Sequence, residues 1–354
     1  METVEILQPG AGPIRASTYL PADPAHVLWG RLPCETDAPV LTVDSGTELT
    51  VDTISHEGLL DDQGSDPIAF FAGHGVAREA VLDDAIELVV TRERGTEDGP
   101  HVITGPIHVA GAKAGDVLAV DILELLPRVP YGVISNRHGR GALPGEYPRG
   151  GSTVSIFASA RDGQGWIPRR AGETPDVHFP LAPFLGTMGV AVPGSERPHS
   201  VPPGHHGGNI DIKLLVVGAT LYLPVLVDGA GFFIGDPHFA QGDGEVALTA
   251  LEASLRATLR LRRMGPESSL ARIVHAHGPL VQTPEWIVPT GMHPDLAEAN
   301  RRAVRAAIAV LVETQGMDEE HAYAYLSAAT DFDISQVVDR VTGVHARIRK
   351  ADFE

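Results

Sequence analysis

The sequence has very little cysteine and few aromatic residues. Cys34 is the one cysteine among 354 residues, so the chain can form no disulfide within itself and no thiolate metal cluster. Aromatic residues make up 5% of the chain, which argues against a deep aromatic pocket and favours small ligands. We interpret Cys34 as a structural residue and not as a nucleophile.

Basic charge and long apolar runs are also scarce. The chain has 27 Lys and Arg against 46 Asp and Glu, a formal charge of −19. Nucleic-acid binding needs a basic face, and the sequence offers no Lys/Arg cluster for one. No apolar run approaches the ~20 residues of a membrane span, and no signal peptide is visible. We therefore expect a cytoplasmic protein with no nucleic-acid or membrane partner.

Glycine and proline are abundant, with 39 and 28 residues, which is typical of a turn-rich β protein. Residues 40–53 alternate on both sides of a turn and predict a hairpin. Segments that begin at Ser45, Ala114 and Val217 each place a turn glycine before an alternating strand. Residues 246–262 fit both a helix and a strand, but their clean polar face favours the strand.

Helical patterns are confined to two parts of the chain. Residues 59–98 predict a partly helical excursion, and residues 294–315 and 318–329 predict two C-terminal helices, with start and stop signals around the first. We therefore expect a β-rich catalytic core over residues 1–265. Residues 266–354 then form a C-terminal α/β region packed on that core.

The densest group of polar residues is the segment GDPHFAQGDGE, residues 235–245. Polar side chains this close together between strand-like runs are typical of a binding or catalytic loop held by rigid neighbours. A structural role stays open for each residue taken singly. Asp243 could only shape a turn, Asp236 could brace the backbone, and His238 could donate to a carbonyl.

Five other histidines are candidates for the site. His101 directly precedes a strand between turn residues and is well placed to point into a cleft. For His56 and His74 a surface or packing role is favoured over a ligand role. His205 and His206 are adjacent in sequence, so we do not expect both to point into one site.

Residues 130–141 form a basic, glycine-rich segment. As a phosphate cradle it fails, because it lacks the P-loop spacing and the helix that follows a P-loop. We interpret it as a mobile loop over a pocket.

With these residues described, the chain resembles the acetamidase/formamidase family, which hydrolyses small amides to a carboxylate and ammonia. Four segments carry the resemblance, in the family's order: residues 99–107, residues 207–213 with 221–225, residues 235–245, and residues 335–345. The resemblance implies a mainly β fold with an α+β part. It would be a jelly-roll-like β-sandwich with a smaller α/β region and C-terminal helices, assembled as a homodimer or higher homo-oligomer.

Hydrolysis of an unactivated amide needs a nucleophile, a polarised carbonyl and a proton for the leaving amine. We favour water activated by a divalent metal, with zinc first, because histidine and carboxylate ligands suit that ion. The candidate metal ligands are Asp236, His238, Asp211 and His101. A metal-free nucleophile stays as the alternative, although the sequence shows no G-x-S-x-G elbow and no Ser/Lys motif.

The remaining roles follow from this hypothesis. Glu245 is the candidate general base. The candidate catalytic residues are Glu245, His238 and Asp211. The candidate substrate-binding residues are Asn209, Gln241 and His101.

The leading hypothesis is thus an amidohydrolase for short-chain or small cyclic amides. A non-catalytic protein that binds or senses small amides on the same scaffold is an alternative from another class. A hydrolase of a carbamoyl or amidine C–N bond is a second alternative, since the same hydrated metal would serve it.

Overall fold

The structure, a computed structural model, describes residues 5–354, and in it the alternating apolar patterns form β-strands. Within these residues the strands are β1 (Thr18–Leu20), β2 (Val27–Trp29), β3 (Leu41–Val43), β4 (Glu48–Asp52), β5 (Val102–Val109), β6 (Val117–Pro127), β7 (Tyr131–Asn136), β8 (Val154–Arg161), β9 (Gln164–Ile167), β10 (Val177–Pro180), β11 (Phe184–Gly189), β12 (Gly207–Asn209), β13 (Thr220–Pro224), β14 (Phe232–Ala240), β15 (Leu251–Glu252), β16 (Leu255–Met264), β17 (Leu280–Gln282), β18 (Trp286–His293), β19 (Asp331–Gln336) and β20 (Thr342–Arg349). The α-helices are α1 (Pro67–Ala72), α2 (Asp83–Thr91), α3 (Ser269–His277), α4 (Leu296–Gln315) and α5 (Glu319–Ala329).

The strands form two large sheets that pack face to face. The nine-stranded sheet has the order β1-β4-β16-β6-β13-β17-β18-β20-β19. The eleven-stranded sheet has the path β10-β9-β8-β7-β15-β14-β11-β12, with β5 paired to β14, β2 and β3. Leu118 and Leu221 of the first sheet share one buried apolar cluster with Phe184 and Phe232 of the second. The expected mainly β fold with an α+β part is confirmed.

The three predicted strand entries are confirmed, and they share one geometry. Gly46, Gly115 and Gly218 have φ of +95°, +100° and +92°, a region that favours glycine. They lead into β4, β6 and β13, which all belong to the nine-stranded sheet. The hairpin predicted for residues 40–53 is wrong. Its first strand, β3, pairs with β5 in the eleven-stranded sheet, while β4 pairs with β1 and β16, so the chain crosses between sheets at the turn.

The strand favoured over a helix for residues 246–262 is confirmed for its second half, in β15 and β16. Its polar face is not a solvent face at the start of β16, where Arg256 and Thr258 are fully buried. The Arg256 guanidinium donates to the Asp52 carboxylate at 2.7 and 3.0 Å. It also donates to the carbonyls of Gln8 and Pro13. The chain around residues 8–13 therefore covers this face of the sheet.

The predicted helices are also confirmed. The excursion over residues 59–98 contains α1 and α2, and the two C-terminal helices are α4 and α5. Helices α3, α4 and α5 pack on the outer face of the nine-stranded sheet. That sheet contains β17 to β20 beside β13, so it continues across residue 265. The division into domains 1–265 and 266–354 stays a prediction.

The mobile loop predicted for residues 130–141 is wrong for its first half. Residues Tyr131–Asn136 form β7, which pairs with β8 and β15. Its apolar alternation was obscured by the glycines and by the basic residues that follow. Among the helices within residues 5–354, none combines the length and apolar character needed to cross a membrane.

The buried ion pair on β16 gives a prediction for stability. Replacing Arg256 by Met should lower the free energy of unfolding by about 3–5 kcal/mol, because it leaves the Asp52 carboxylate buried without its main partner. Urea unfolding measures the change. The matched control is Arg260→Met on the same strand, whose side chain is 39% exposed and whose loss should cost less than about 1 kcal/mol. Equal losses in the two variants would contradict this account.

Candidate functional site

An open cavity of about 1080 Å³ is lined by loops and by residues of β12, β14 and β15 of the eleven-stranded sheet. Several of its lining side chains are buried and ionisable or polar, and we call them the floor of the cavity. They are His56, His101, Asn209, Asp236, Glu245, Glu252 and Asp339. Asp211 and His238 are fully buried and contact this floor from below.

Strand pairing brings these residues together. Asp236 and His238 lie two apart on β14, so their side chains share one face of the sheet. Glu252 of β15 lies directly opposite His238 in the ladder. On the other side, Asn209 of β12 pairs with Thr187 of β11, the neighbour of β14. Asn209, Asp236, His238 and Glu252 are thus held by strands of one sheet, whereas the remaining floor residues, His56, His101, Glu245 and Asp339, lie on loops beside it.

The ligand atoms lie close to one another. His238 Nε2 is 3.1 Å from Glu252 Oε1 and 3.2 Å from Asp236 Oδ2. Asp236 Oδ1 is 3.6 Å from His56 Nδ1 and 3.7 Å from His101 Nε2. Three overlapping sets have their ligand atoms within 4.8 Å of one another: His56, His101 and Asp236; Asp211, His238 and Glu245; Asp236, His238 and Glu252. Asp236 and His238 link the sets into one cluster.

Backbone strain is concentrated at the same place. Eight non-glycine residues of the described chain have positive φ, and five of them lie at this site. They are Asp211 (+47°), Asp236 (+52°), Glu245 (+46°), Leu248 (+101°) and Arg340 (+64°). Each such residue costs of order 1–3 kcal/mol, and such residues cluster at active sites and ligand clamps. The rest of the fold therefore holds these side chains in directions that the chain would not adopt by itself.

Gly186 of β11 leaves the space that the cluster occupies. A Cβ at this position would come within 2.7 Å of Asp236 Oδ2 and of His238 Cε1, and it would overlap Asp211 Oδ1. Its φ is not in the left-handed region, so glycine is required here for room and not for backbone freedom.

The floor and the two residues beneath it, Asp211 and His238, hold an unusual number of buried polar atoms without a hydrogen-bond partner. Both carboxylate oxygens of Asp211, both ring nitrogens of His56 and of His238, and one oxygen each of Asp236, Glu252 and Asp339 belong to this group. More than nine in ten buried polar groups in proteins have partners. Nitrogen and carboxylate donors that converge without partners fit a divalent cation, and this donor set suits zinc or a similar ion.

The pKa shifts of these residues also support a cation site. Burial raises the pKa of Asp211 and of Glu245 well above the ordinary values, and neighbouring carboxylates add to both shifts. Burial likewise raises the pKa of Asp339 to about 7. For His238 burial opposes the charged form, but two nearby carboxylates outweigh it and raise the pKa well above the usual value. The cluster has more carboxylates than imidazoles, so added positive charge would stabilise it.

The structure brings most of the predicted site residues together. His101, Asn209, Asp236 and Glu245 line the cavity, and Asp211 and His238 contact them from below. The substrate-binding role predicted for Gln241 has no support in this geometry. Gln241 Nε2 donates to the backbone carbonyls of Asp211 and Ser335 at 3.0 and 3.2 Å, so the side chain braces the backbone outside the cavity. Asp243 is exposed and pairs with Lys213 at 2.6 Å.

Among the other histidines, the packing role favoured for His56 needs correction. Its buried ring lies in the cluster, with Nε2 3.3 Å from Glu57 Oε1. In the sequence, His56 follows the alternating residues of β4, and nothing there distinguishes it from a packing histidine. His74 stacks on Phe157 with ring centroids 4.9 Å apart, as its packing role predicted. His205 and His206 do not line the cavity.

Sequence reasoning missed three acidic residues, Glu57, Glu252 and Asp339. Glu57 is buried beside His56 and accepts hydrogen bonds from Gln63, Ser135 and Arg137. This is the arrangement that orients metal-ligating histidines in other proteins. Glu252 was detectable in principle, because it is a charge within an apolar alternation. Asp339 lies in the segment 335–345 that carried the resemblance.

Comparison with known proteins agrees with this geometry. The model of the Acetamidase/Formamidase family matches residues 96–199 and 194–348. A formamidase from Methylophilus methylotrophus is 31% identical over 41% of this chain and 47% of its own length. An acetamidase from Mycolicibacterium smegmatis is 31% identical over 41% of this chain and 49% of its own length. The chain thus spans about half the length of the curated relatives it matches.

A solved structure extends the likeness to nearly the whole chain. It is a recombinant predicted acetamidase/formamidase from Thermoanaerobacter tengcongensis. It superposes with a TM-score of 0.74 at 25% identity and covers 95% of this chain and 97% of its own. Since the family model alone matches more than half of the residues, this chain belongs to the acetamidase/formamidase family.

Proposed function

We propose that this protein hydrolyses the C–N bond of small amides to a carboxylate and ammonia or an amine, with a divalent cation as cofactor. The observation that carries the proposal is the convergence of unpartnered imidazole and carboxylate atoms on the floor of an open cavity. The names formamidase and acetamidase of its relatives support the reaction class. In the overall reaction water supplies a hydroxyl group to the carbonyl carbon and a proton to the departing nitrogen.

We assign the cation, zinc in the first instance, to the buried cluster. Asp236 and His238 are the central ligands, because each belongs to two of the three candidate sets. His56 and His101 complete one set, and His238 with Asp211 lies against the other side. A divalent ion held by these residues would supply polarisation of a carbonyl and a lowered pKa, towards ~7, of nearby water.

Proton transfer is assigned to Glu245. Its carboxyl lines the cavity, and burial raises its pKa well above the usual value, with further contributions from Asp339 and Glu252. A carboxyl group with a raised pKa can accept a proton from water and return it to the leaving nitrogen near neutral pH.

Two further residues position the amide. Burial lowers the pKa of His101 to about 4, so its ring is neutral near pH 7. Its Nδ1 lies 3.0 Å from Ser200 Oγ, which fixes the ring orientation. Asn209 Oδ1 accepts from Thr187 Oγ1 at 2.6 Å, which holds its carboxamide against the floor. We propose that Asn209 contacts the substrate, and that His101, as a ligand of the cation, holds the cation beside it.

Assembly and location complete the proposal. We infer a homodimer or a higher homo-oligomer, because closed symmetric association is the common case among such enzymes. A cytoplasmic location agrees with a chain of one cysteine and 21% charged residues.

The reaction predicts the behaviour of Glu245→Gln. Zinc-loaded protein should release ammonia from acetamide or formamide, and this variant should lower kcat by about 10²–10⁴-fold, because the positioned proton carrier is lost. Ammonia release measures the rate, and elemental analysis shows whether the metal is retained. Tight amide binding without turnover in the unmodified protein would instead favour the non-catalytic binding alternative.

The ligand assignment predicts metal content. Asp236→Asn and His238→Ala should both lose bound zinc, and the zinc-dependent rise in Tm should disappear with it. Asparagine tolerates the left-handed backbone at position 236, so the first variant tests the ligand and not the fold. Asp243→Asn is the control, since that carboxylate lies in the same segment but is exposed. Full zinc content in both site variants would contradict the assignment.

The close approach of Gly186 predicts a third result. Gly186→Ala should lower zinc affinity at least about tenfold, as for other substitutions that displace metal ligands, because its methyl group meets three ligand side chains. Circular dichroism should show an unchanged fold. Gly242→Ala serves as the control, because a Cβ there meets nothing within 4 Å. If both variants bound zinc equally, the cluster would not be the metal site.

A further inference from the structure

The cavity is much larger than acetamide or formamide requires. At about 1080 Å³ it is slightly larger than the roughly 300–1,000 Å³ typical of pockets for drug-sized ligands. The floor can account for the amide group alone. The remaining wall should therefore contact a further part of the substrate.

Two arginines on that wall have no ion-pair partner among residues 5–354. Arg140 and Arg340 both line the cavity and are exposed. Two other arginines of the wall are already engaged. Arg94 pairs with Asp61 at 3.2 Å, and Arg137 pairs with Asp62 at 2.7 Å.

Arg140 and Arg340 line the same cavity as His199. Burial lowers its pKa, and the positive charges of Arg340 and Arg140 are among the causes that lower it further. Both guanidinium groups therefore lie within electrostatic reach of one imidazole, although their positions in the sequence are 200 residues apart.

Both arginines also stand on well-braced turns. Gln336 Oε1 accepts from the backbone N–H groups of Val338 and Asp339 at 3.0 and 3.1 Å. This turn directs the Asp339 carboxyl to the floor and leaves Arg340, in its left-handed conformation, on the wall. The turn of Arg140 is closed by its N–H bond to the Arg137 carbonyl at 3.1 Å.

We propose that the preferred substrates are amides that carry a carboxylate group, which Arg140 and Arg340 bind while the amide carbonyl reaches the floor. Guanidinium groups suit this role because they form paired, charge-assisted hydrogen bonds with carboxylates. The acidic residues of the wall neutralise little of the positive charge of Arg140 and Arg340. Asp61, Asp62 and Asp98 are ion-paired with other arginines, and Glu97 alone is not ion-paired. This inference rests on the proposed amide hydrolysis.

The test compares amides of matched size. Succinamate and glutaramate carry a carboxylate, whereas butyramide and valeramide are neutral. The zinc-loaded protein should hydrolyse the anionic pair with a kcat/KM about 10- to 100-fold higher, which is the range expected for hydrogen bonds to a charged group. The double variant Arg140→Gln/Arg340→Gln should lose that preference. Arg305→Gln, on the exposed face of α4, is the control and should keep it.

Each outcome decides the inference. Equal rates for anionic and neutral amides, or a preference that survives in the double variant, would overturn it. If no amide were hydrolysed, the proposed function would fail separately. Calorimetry with glutarate then tests the arginine pair by itself: binding lost in the double variant supports it, and no binding to the unmodified protein refutes it.

Discussion

The buried excess of carboxylates around Asp236 is the constraint on which the rest of the structure depends. Asp211, Asp236, Glu245, Glu252 and Asp339 are each less than a tenth exposed. Such a group is unfavourable in a protein interior unless positive charge compensates it. The imidazoles of the cluster supply part of that charge, and a cation would supply the remainder. Stability and ligand binding are therefore linked in this fold.

The two packed sheets hold the side chains of this cluster in fixed positions. Strand β14 lies inside the eleven-stranded sheet, paired with β5, β11 and β15. Side chains on such a strand move little, so their ligand atoms can be held at fixed distances. The two apolar sheet faces pack behind it. Burial on that scale offsets the strained backbone at Asp211, Asp236 and Glu245.

The sequence was informative where a feature depends on neighbouring residues. The segment 235–245 revealed Asp236, His238 and Glu245 because its polar residues are dense, and α4 was visible from its apolar stripe and its cap at Asp295, which accepts from the Glu298 N–H. The crossing of the chain between sheets at residues 44–47 was not visible. Alternating strands on both sides of a turn look the same whether they pair with each other or with distant partners.

Features that depend on contacts between residues far apart in the sequence could not be predicted, for the same reason. His56 lies 180 residues before Asp236, and only the fold shows that their side chains meet. Glu252 becomes a site residue through its register against His238. Gln241 was selected by a local pattern, but its side-chain amide donates to the backbone carbonyls of Asp211 and Ser335 and does not line the cavity. Periodicity shows which face a side chain occupies but not what lies across from it.

Different parts of the chain form the floor and the wall of the cavity, which affects how substrate preference can evolve. Asn209, Asp236 and Glu252 of the floor lie on strands, whereas Arg140 and Arg340 lie on turns. Loops tolerate substitution far better than the strands they join. Descendants of this scaffold could therefore acquire new substrate preferences by substitution at these two arginines, while the ligand groups on the strands stay in register. In this architecture, substrate selectivity can change while the ligand groups stay the same.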